Sequence, residues 1–217
     1  MEPSVAGRFI IGSMDFSETH CSVNQPALVG SDEAAWIAQA RAGSEQAWQH
    51  LVRAHQEAAF RLAYLLLRDA ADAEDVAQEA FVRAYLSLAR FDETRPFRPW
   101  LLQITRNLAR NNRRSLRRYL HHLTHWYDVA RETAVTPPPQ TELARAHLLG
   151  EAVQKLSAKG QEVVYLRYFL ELSEAETAVI LNIPPGTVKS RLSRGLHQLR
   201  GVIERDFPDL REMGEDD

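Results

Sequence analysis

Asp72, Asp75 and Glu79 are spaced to stack three carboxylates on one face of a helix, with Glu74 beside them. Carboxylates placed this way can hold a divalent cation or act as an acid–base pair. No histidine stands near them in sequence to complete such a site, so a solvated face is the better reading. His121, His122 and His125 form H-H-x-x-H, but zinc takes about four ligands and no cysteine or fourth histidine is close. Cys21 is the single cysteine, which excludes an internal disulfide and a thiolate metal cluster. No nucleophile motif or phosphate loop is present. The expectation is a protein without catalytic residues, metal or cofactor.

The basic residues point to different chemistry. Net charge is −3, so the chain as a whole does not advertise a polyanion partner, and local distribution must decide. Between Arg90 and Arg118, nine arginines (90, 95, 98, 106, 110, 113, 114, 117 and 118) outnumber Asp92 and Glu93. Phe91, Phe97 and Trp100 are interleaved with them. Arginines can follow a phosphate backbone and aromatic rings can stack on unpaired bases, although Phe97 and Trp100 also suit a core. A second basic stretch lies in "LNIPPGTVKSRLSRGLHQLR", from Leu181 to Arg200. Val188, Leu192, Leu196 and Leu199 repeat there as an apolar stripe. Thr187, Lys189, Ser190, Arg191 and Arg194 face elsewhere near the helix start.

The elements that must position these residues all read as helices. Ser31 to Gly43 is capped and terminated as a helix. The next segment repeats Ala47, Leu51, Ala54, Ala58, Leu62 and Leu65 at helical spacing. Val76, Ala80, Tyr85 and Leu88 give a third stripe, and Trp100, Leu101, Ile104 and Leu108 a fourth. No alternation of period two appears. A break is expected after Ser115, followed by Pro137-Pro138-Pro139, which cannot continue a helix. Helical pattern resumes at Thr141. In "LSEAETAVILNIPPG", Ser173 and Glu176 read as a capping box. Ala175, Val179 and Ile180 read as the inner face of that helix, with Ala178 at the surface. Asn182 suits a left-handed turn, and Pro185 suits the first position of the next helix. This is a helix-turn-helix, whose second helix would enter the major groove by its N-terminal end.

These motifs resemble those of a known family. "GTVKSRLSRGLHQLR" looks like the end of region 4 of bacterial sigma factors of the extracytoplasmic-function (ECF) group. "AEDVAQEAFVRAYLSLARFD" resembles region 2.2 of that group, and "RPWLLQITRNLARNNRR" resembles regions 2.3 and 2.4. The motifs occur in family order over roughly Asp32 to Arg205. Three positions depart from the pattern: Asn111 replaces an Asp, Pro184 a capping Ser, and Gly195 an Ala, the last at about 1 kcal/mol in helix propensity.

The resemblance implies an all-α fold, with two small helical domains joined by a flexible linker. Residues 1–30 would be a flexible extension, 31–115 region 2, 116–140 the linker, 141–205 region 4, and 206–217 an acidic tail. It implies a factor that binds core RNA polymerase and directs promoter-specific initiation in response to a stress or envelope signal. Asp72, Asp75, Gln78 and Glu79 would dock on the clamp of the largest subunit, with Gln78 and Glu79 matching the family's Q-E pair, and region 4 would meet the flap of the second subunit. Phe91, Asp92, Thr94 and Arg95 would capture a base flipped from the downstream promoter element, with Arg106, Asn107, Arg110, Asn111 and Arg114 along the strand. Thr187, Lys189, Ser190, Arg191 and Arg194 would bind the upstream element. Partners would be core polymerase, promoter DNA and an anti-sigma factor, with the free protein a monomer. Without an apolar run of membrane-span length or a leader pattern, a cytoplasmic location is expected. The competing reading is a freestanding helix-turn-helix regulator that binds DNA without polymerase. A nucleic-acid enzyme is a third class, with no residues to support it.

Overall fold

A computed structural model describes residues 30–123, 142–207 and 210, with side chains described over 32–113, 146–207 and 210. The chain divides after Ser115 into two compact units. Among the described residues every regular element is a helix.

The first unit begins with α1 (Gly30–Arg41) and α2 (Glu45–Leu67). Gly43 joins them at φ 94°, a left-handed value that a residue with a Cβ resists. Ser44 then caps α2, accepting from the Ala47 N–H at 3.3 Å. Arg68, at φ 64°, closes α2 through its N–H to the Tyr64 carbonyl at 2.8 Å. Asp69 caps α3 (Ala70–Ser87) by accepting from the Asp72 N–H at 2.8 Å. A 3₁₀ turn, Leu88–Arg90, leads into a loop and then α4 (Phe97–Leu123).

The buried line of α2 runs through Ala47, Trp48, Leu51, His55, Ala59, Leu62, Ala63 and Leu66. Ala54, Ala58 and Leu65, expected in the core, are half-buried. Ala47, Leu51 and Leu62 are buried as expected; at the other three positions the next residue, His55, Ala59 or Leu66, is buried instead, and the sequence gives no reason to bury His55. The structure supplies one: His55 Nε2 lies 2.8 Å from Glu33 Oε1 on α1. On α3 the inner face is Ala73, Val76, Ala77, Ala80, Phe81 and Ala84. Small residues let α2 come close, and Phe81, 1% exposed, fills the space with its edge toward Trp48 at 6.2 Å. Tyr85, expected in this core, is half-buried and lies edge-on to Trp48 at 5.1 Å.

On α4 the buried residues include Phe97, Leu101, Leu102, Thr105, Arg106, Leu108 and Ala109, while Trp100 and Ile104 are half-buried. The helix does not break after Ser115 but continues through Leu123. "LRRYLHHL" contains neither Gly nor Pro and offers no stop signal. The triple proline and His125 lie outside the described residues.

The second unit contains α5 (Glu142–Gln154), α6 (Ala158–Val164), a π-helical turn (Tyr165–Phe169), α7 (Glu174–Leu181) and α8 (Pro185–Asp206). Ser157 caps α6 through the Gly160 N–H at 3.3 Å. Tyr165, Leu166, Leu172 and Ile180 are each no more than 1% exposed and form the centre of the unit. The inner face of α7 is Thr177, Ala178, Ile180 and Leu181, whereas Ala175 and Val179 are exposed, the reverse of the sequence expectation for Ala175, Ala178 and Val179. On so short a helix, packing against its neighbours sets the phase more firmly than apolar spacing does. On α8 the buried residues are Val188, Gly195, Leu199 and Val202, with Leu192 and Leu196 half-buried. Gly195 lies where α8 passes α6: a Cβ built there would sit 3.7 Å from the Gly160 Cα. Asp206 accepts from Arg205 at 2.9 Å and from Lys155 Nζ at 2.9 Å, so the helix end is tied to the α5–α6 turn. Arg205 first and Lys155 second hold the Asp206 carboxyl at about 2.

Candidate nucleic-acid interface

In the second unit, local chemistry positions α8. The capping box is complete: the Ser173 hydroxyl accepts from the Glu176 N–H at 3.2 Å, and Glu176 Oε2 accepts from the Ser173 N–H at 2.8 Å. Asn182, at φ 53° and ψ 53°, makes the turn. Pro184 occupies the capping position of α8 without a side-chain acceptor, and its carbonyl takes the N–H groups of Thr187 at 2.9 Å and Val188 at 3.2 Å. Pro185 follows at the first helical position, where a missing N–H costs nothing.

With Val188 and Gly195 turned inward, Lys189, Ser190 and Arg194 are exposed and Thr187 and Arg191 are half-exposed. The Ser190 hydroxyl donates to the Thr187 carbonyl at 3.1 Å, and Arg194 Nε donates to the Ser190 carbonyl at 3.1 Å. Thr187, Arg191 and Arg194 line a shallow groove whose other wall is the start of α6, at Ser157, Lys159 and Gly160. Lys159 was not singled out from the sequence, because it lies on a different helix from the basic stretch. The whole arrangement is a helix held by its apolar side with cations and hydroxyls on the other, which suits phosphates and base edges.

In the first unit, α3 leaves Asp75 and Glu79 exposed, with Asp72 and Gln78 half-exposed. Glu79 Oε1 accepts from Arg83 Nε at 2.7 Å. Leu86, 76% exposed, lies seven positions beyond Glu79 and extends the same stripe with an apolar side chain.

The loop and α4 divide the remaining candidates. Asp92, Thr94 and Arg95 are exposed, as are Asn107, Arg110 and Asn111. Two candidates point inward. Phe91 is 5% exposed, with its ring 4.6 Å from Trp100 and 5.7 Å from Phe97, so it is a core residue here and not a free stacking platform. The 3₁₀ turn before it rotates the chain and delivers the ring inward. Arg106 is 7% exposed because it shares the inner side of α4 with Leu102 and Ala109. Arg114 lies within α4, beyond the described side chains.

Asp92 organises the loop. Its Oδ1 accepts from the Thr94 hydroxyl at 2.6 Å and from the Thr94 N–H at 3.1 Å, and the Arg95 N–H donates to the Asp92 carbonyl at 3.0 Å. The Thr94 hydroxyl, then its N–H, hold the Asp92 carboxyl below its usual range. Sequence reasoning missed Arg41, at the end of α1, whose guanidinium reaches this segment from outside. Nε donates to the Leu88 carbonyl at 2.8 Å, Nη2 to the Phe91 carbonyl, and Nη1 to Glu93. It was missed because these bonds span some fifty positions, and one arginine ending a helix carries no signal of its own.

Among the described residues no cluster of His, Cys, Asp and Glu could hold a metal ion, and no helix is long and apolar enough to cross a membrane.

The comparisons with known proteins agree on the class. The family model for sigma-70 region 2 matches residues 51–119, and that for sigma-70 region 4 matches residues 146–199. The ECF RNA polymerase sigma factor SigW of Bacillus subtilis is 34% identical over 173 residues, covering 76% of this chain and 92% of SigW. The structure of CnrH in complex with the cytosolic domain of CnrY is similar at TM-score 0.61 and 26% identity, covering 81% of this chain and 99% of that one. Sigma factor RpoE in complex with the anti-sigma factor NepR, from Bartonella quintana, shares the fold at TM-score 0.58 and 24% identity, over 73% of this chain and 97% of that one. Two helical units with sigma-70 regions 2 and 4 in order define a sigma-70-type factor. Within that class, the chain belongs to the ECF group of RNA polymerase sigma factors.

Proposed function

We propose that the first unit docks on core RNA polymerase through Asp72, Asp75, Gln78 and Glu79 and holds the melted downstream element, while the second unit grips the upstream element through α8. Residues 31–115, with the continuation of α4 through Leu123, then act as region 2 and 141–205 as region 4. The observation that carries this reading is the presentation of α8: its inner side is packed on α6 and α7, and Lys189, Ser190 and Arg194 face out beside Thr187 and Arg191.

Thr187, Lys189, Ser190, Arg191 and Arg194 contact the upstream DNA, and Lys159 joins them at a backbone phosphate. Downstream, the contacts come from Asp92, Thr94 and Arg95 in the loop and from Asn107, Arg110, Asn111 and Arg114 on α4. Phe91 and Arg106 support these residues from within. The protein works in the cytoplasm and is held inactive by an anti-sigma factor until a signal releases it. RpoE was solved with an anti-sigma factor and CnrH with the cytosolic domain of CnrY, which supports that last step.

A mobility-shift titration separates this reading from a freestanding regulator. Core polymerase and the chain together should retain a promoter fragment at a salt concentration where neither does alone. Equal retention by the chain without polymerase would favour the freestanding regulator instead.

A further inference from the structure

We propose that Arg41 is a positioning residue for the loop Asp92–Arg95, setting which downstream base that loop accepts. The inference rests on the reading that this loop meets the downstream promoter element.

The geometry that points to it is a single guanidinium shared by three acceptors on one short segment. Nε takes the carbonyl of Leu88 in the 3₁₀ turn at 2.8 Å, Nη2 takes the carbonyl of Phe91, and Nη1 takes the Glu93 carboxylate. The planar fork of arginine offers donors in fixed directions, so satisfying three acceptors at once fixes their relative positions. Lysine, with one flexible ammonium, cannot do the same.

The loop needs an external anchor. Positions 92–96 are all exposed and bury nothing of their own. The turn within it, closed by Asp92 and Thr94, sets local shape but not its placement on the unit. One side is fixed by the buried Phe91 ring against Phe97 and Trp100. Arg41 fixes the other side from α1. Recognition of a flipped base requires contacting groups held to within about half an ångström, which a free surface loop does not provide.

Two alternative roles fit less well. A partly exposed ion pair such as Arg41–Glu93 contributes little to stability. The Leu88 carbonyl also accepts the Phe91 N–H at 3.1 Å, so losing Arg41 does not orphan it. A direct phosphate contact would have only the two guanidinium N–H groups that these three acceptors leave, one on Nη1 and one on Nη2.

The test uses holoenzyme reconstituted from core polymerase and the full chain carrying Arg41→Ala, Arg41→Lys, or Asp92→Ala with Thr94→Ala. Two quantities are read. One is amide hydrogen exchange at Phe91 and Arg95 in the free chain. The other is affinity for forked promoter DNAs carrying each base in turn at each downstream position. Both Arg41 variants should speed exchange at those amides at least tenfold and reduce base discrimination at one downstream position at least threefold. Affinity for the upstream element should not change. Unaltered exchange and discrimination in the Arg41 variants, alongside altered discrimination in the Asp92/Thr94 variant, overturns the assignment to Arg41 alone. Unaltered discrimination in all three variants overturns the loop reading and the assignment with it. A uniform loss on every DNA, with a shallower salt dependence, makes Arg41 a phosphate contact and also overturns it. Should Arg41→Ala unfold by circular dichroism, Arg41→Lys, which keeps the aliphatic stem, decides the matter.

Discussion

Lys189 and Arg191 belong to α8 but not to its core, so each can be removed at little cost to the fold. Substituting both with alanine should weaken upstream-element binding and make it less salt-dependent, by about one unit of slope for each phosphate no longer neutralised. Filter binding over a salt series measures both, and unchanged affinity would remove these residues from the interface. Glu33 tests a different kind of residue. Its bond to His55, chiefly, and then the charge of His55 hold its carboxyl below the ordinary 4.5 against the opposing effect of burial. A depressed carboxyl contributes stability that is present above its unfolded pKa and is lost as pH falls through the folded one. Glu33→Gln should therefore cost about 1 kcal/mol near neutral pH and flatten the loss of stability below pH about 4.5. Thermal melts between neutral and acid pH would show it, and parallel melting curves for the two proteins would contradict it. Gly195 sets propensity against packing. Its neighbours would lie 3.7–3.9 Å from an added Cβ, which is ordinary contact, so nothing must move. Propensity should then win, and Gly195→Ala should stabilise the protein by about 0.5–1 kcal/mol in urea titrations.

What was legible at the scale of elements was whatever a few adjacent residues decide. The capping box of α7, the left-handed Asn182 and the proline start of α8 are all local, and each appears as the sequence reads. Features set by distant partners were not legible. His55 is buried with Glu33 as its partner, a pairing 22 positions apart that no local pattern announces. Phe91 turns inward because of a 3₁₀ turn with no signature of its own. Arg106 reads as one more member of a basic cluster, yet α4 buries it while exposing Asn107 and Arg110. On α3 the surface was legible because carboxylates at helical spacing leave little choice of side. Reversing the charge of Asp75 and Glu79 together should lower affinity for core polymerase at least tenfold without loss of helix, since both side chains are exposed. Fluorescence anisotropy gives the first quantity and circular dichroism the second. An unfolded double variant would make these residues structural.

At the scale of the whole molecule, the proposed tasks fall to two different units. The first carries the acidic stripe and the basic α4, and the second carries α8. A net charge of −3 conceals this separation, because the acidic and basic faces nearly cancel. The most direct test of the central claim is promoter-dependent transcription with purified core polymerase on a library of fragments from the native genome. The chain should direct start sites that core polymerase alone does not use. Those transcripts should disappear when either the Asp75/Glu79 reversal or the Lys189/Arg191 substitution is introduced. Transcription no different from that of core polymerase alone would contradict the account.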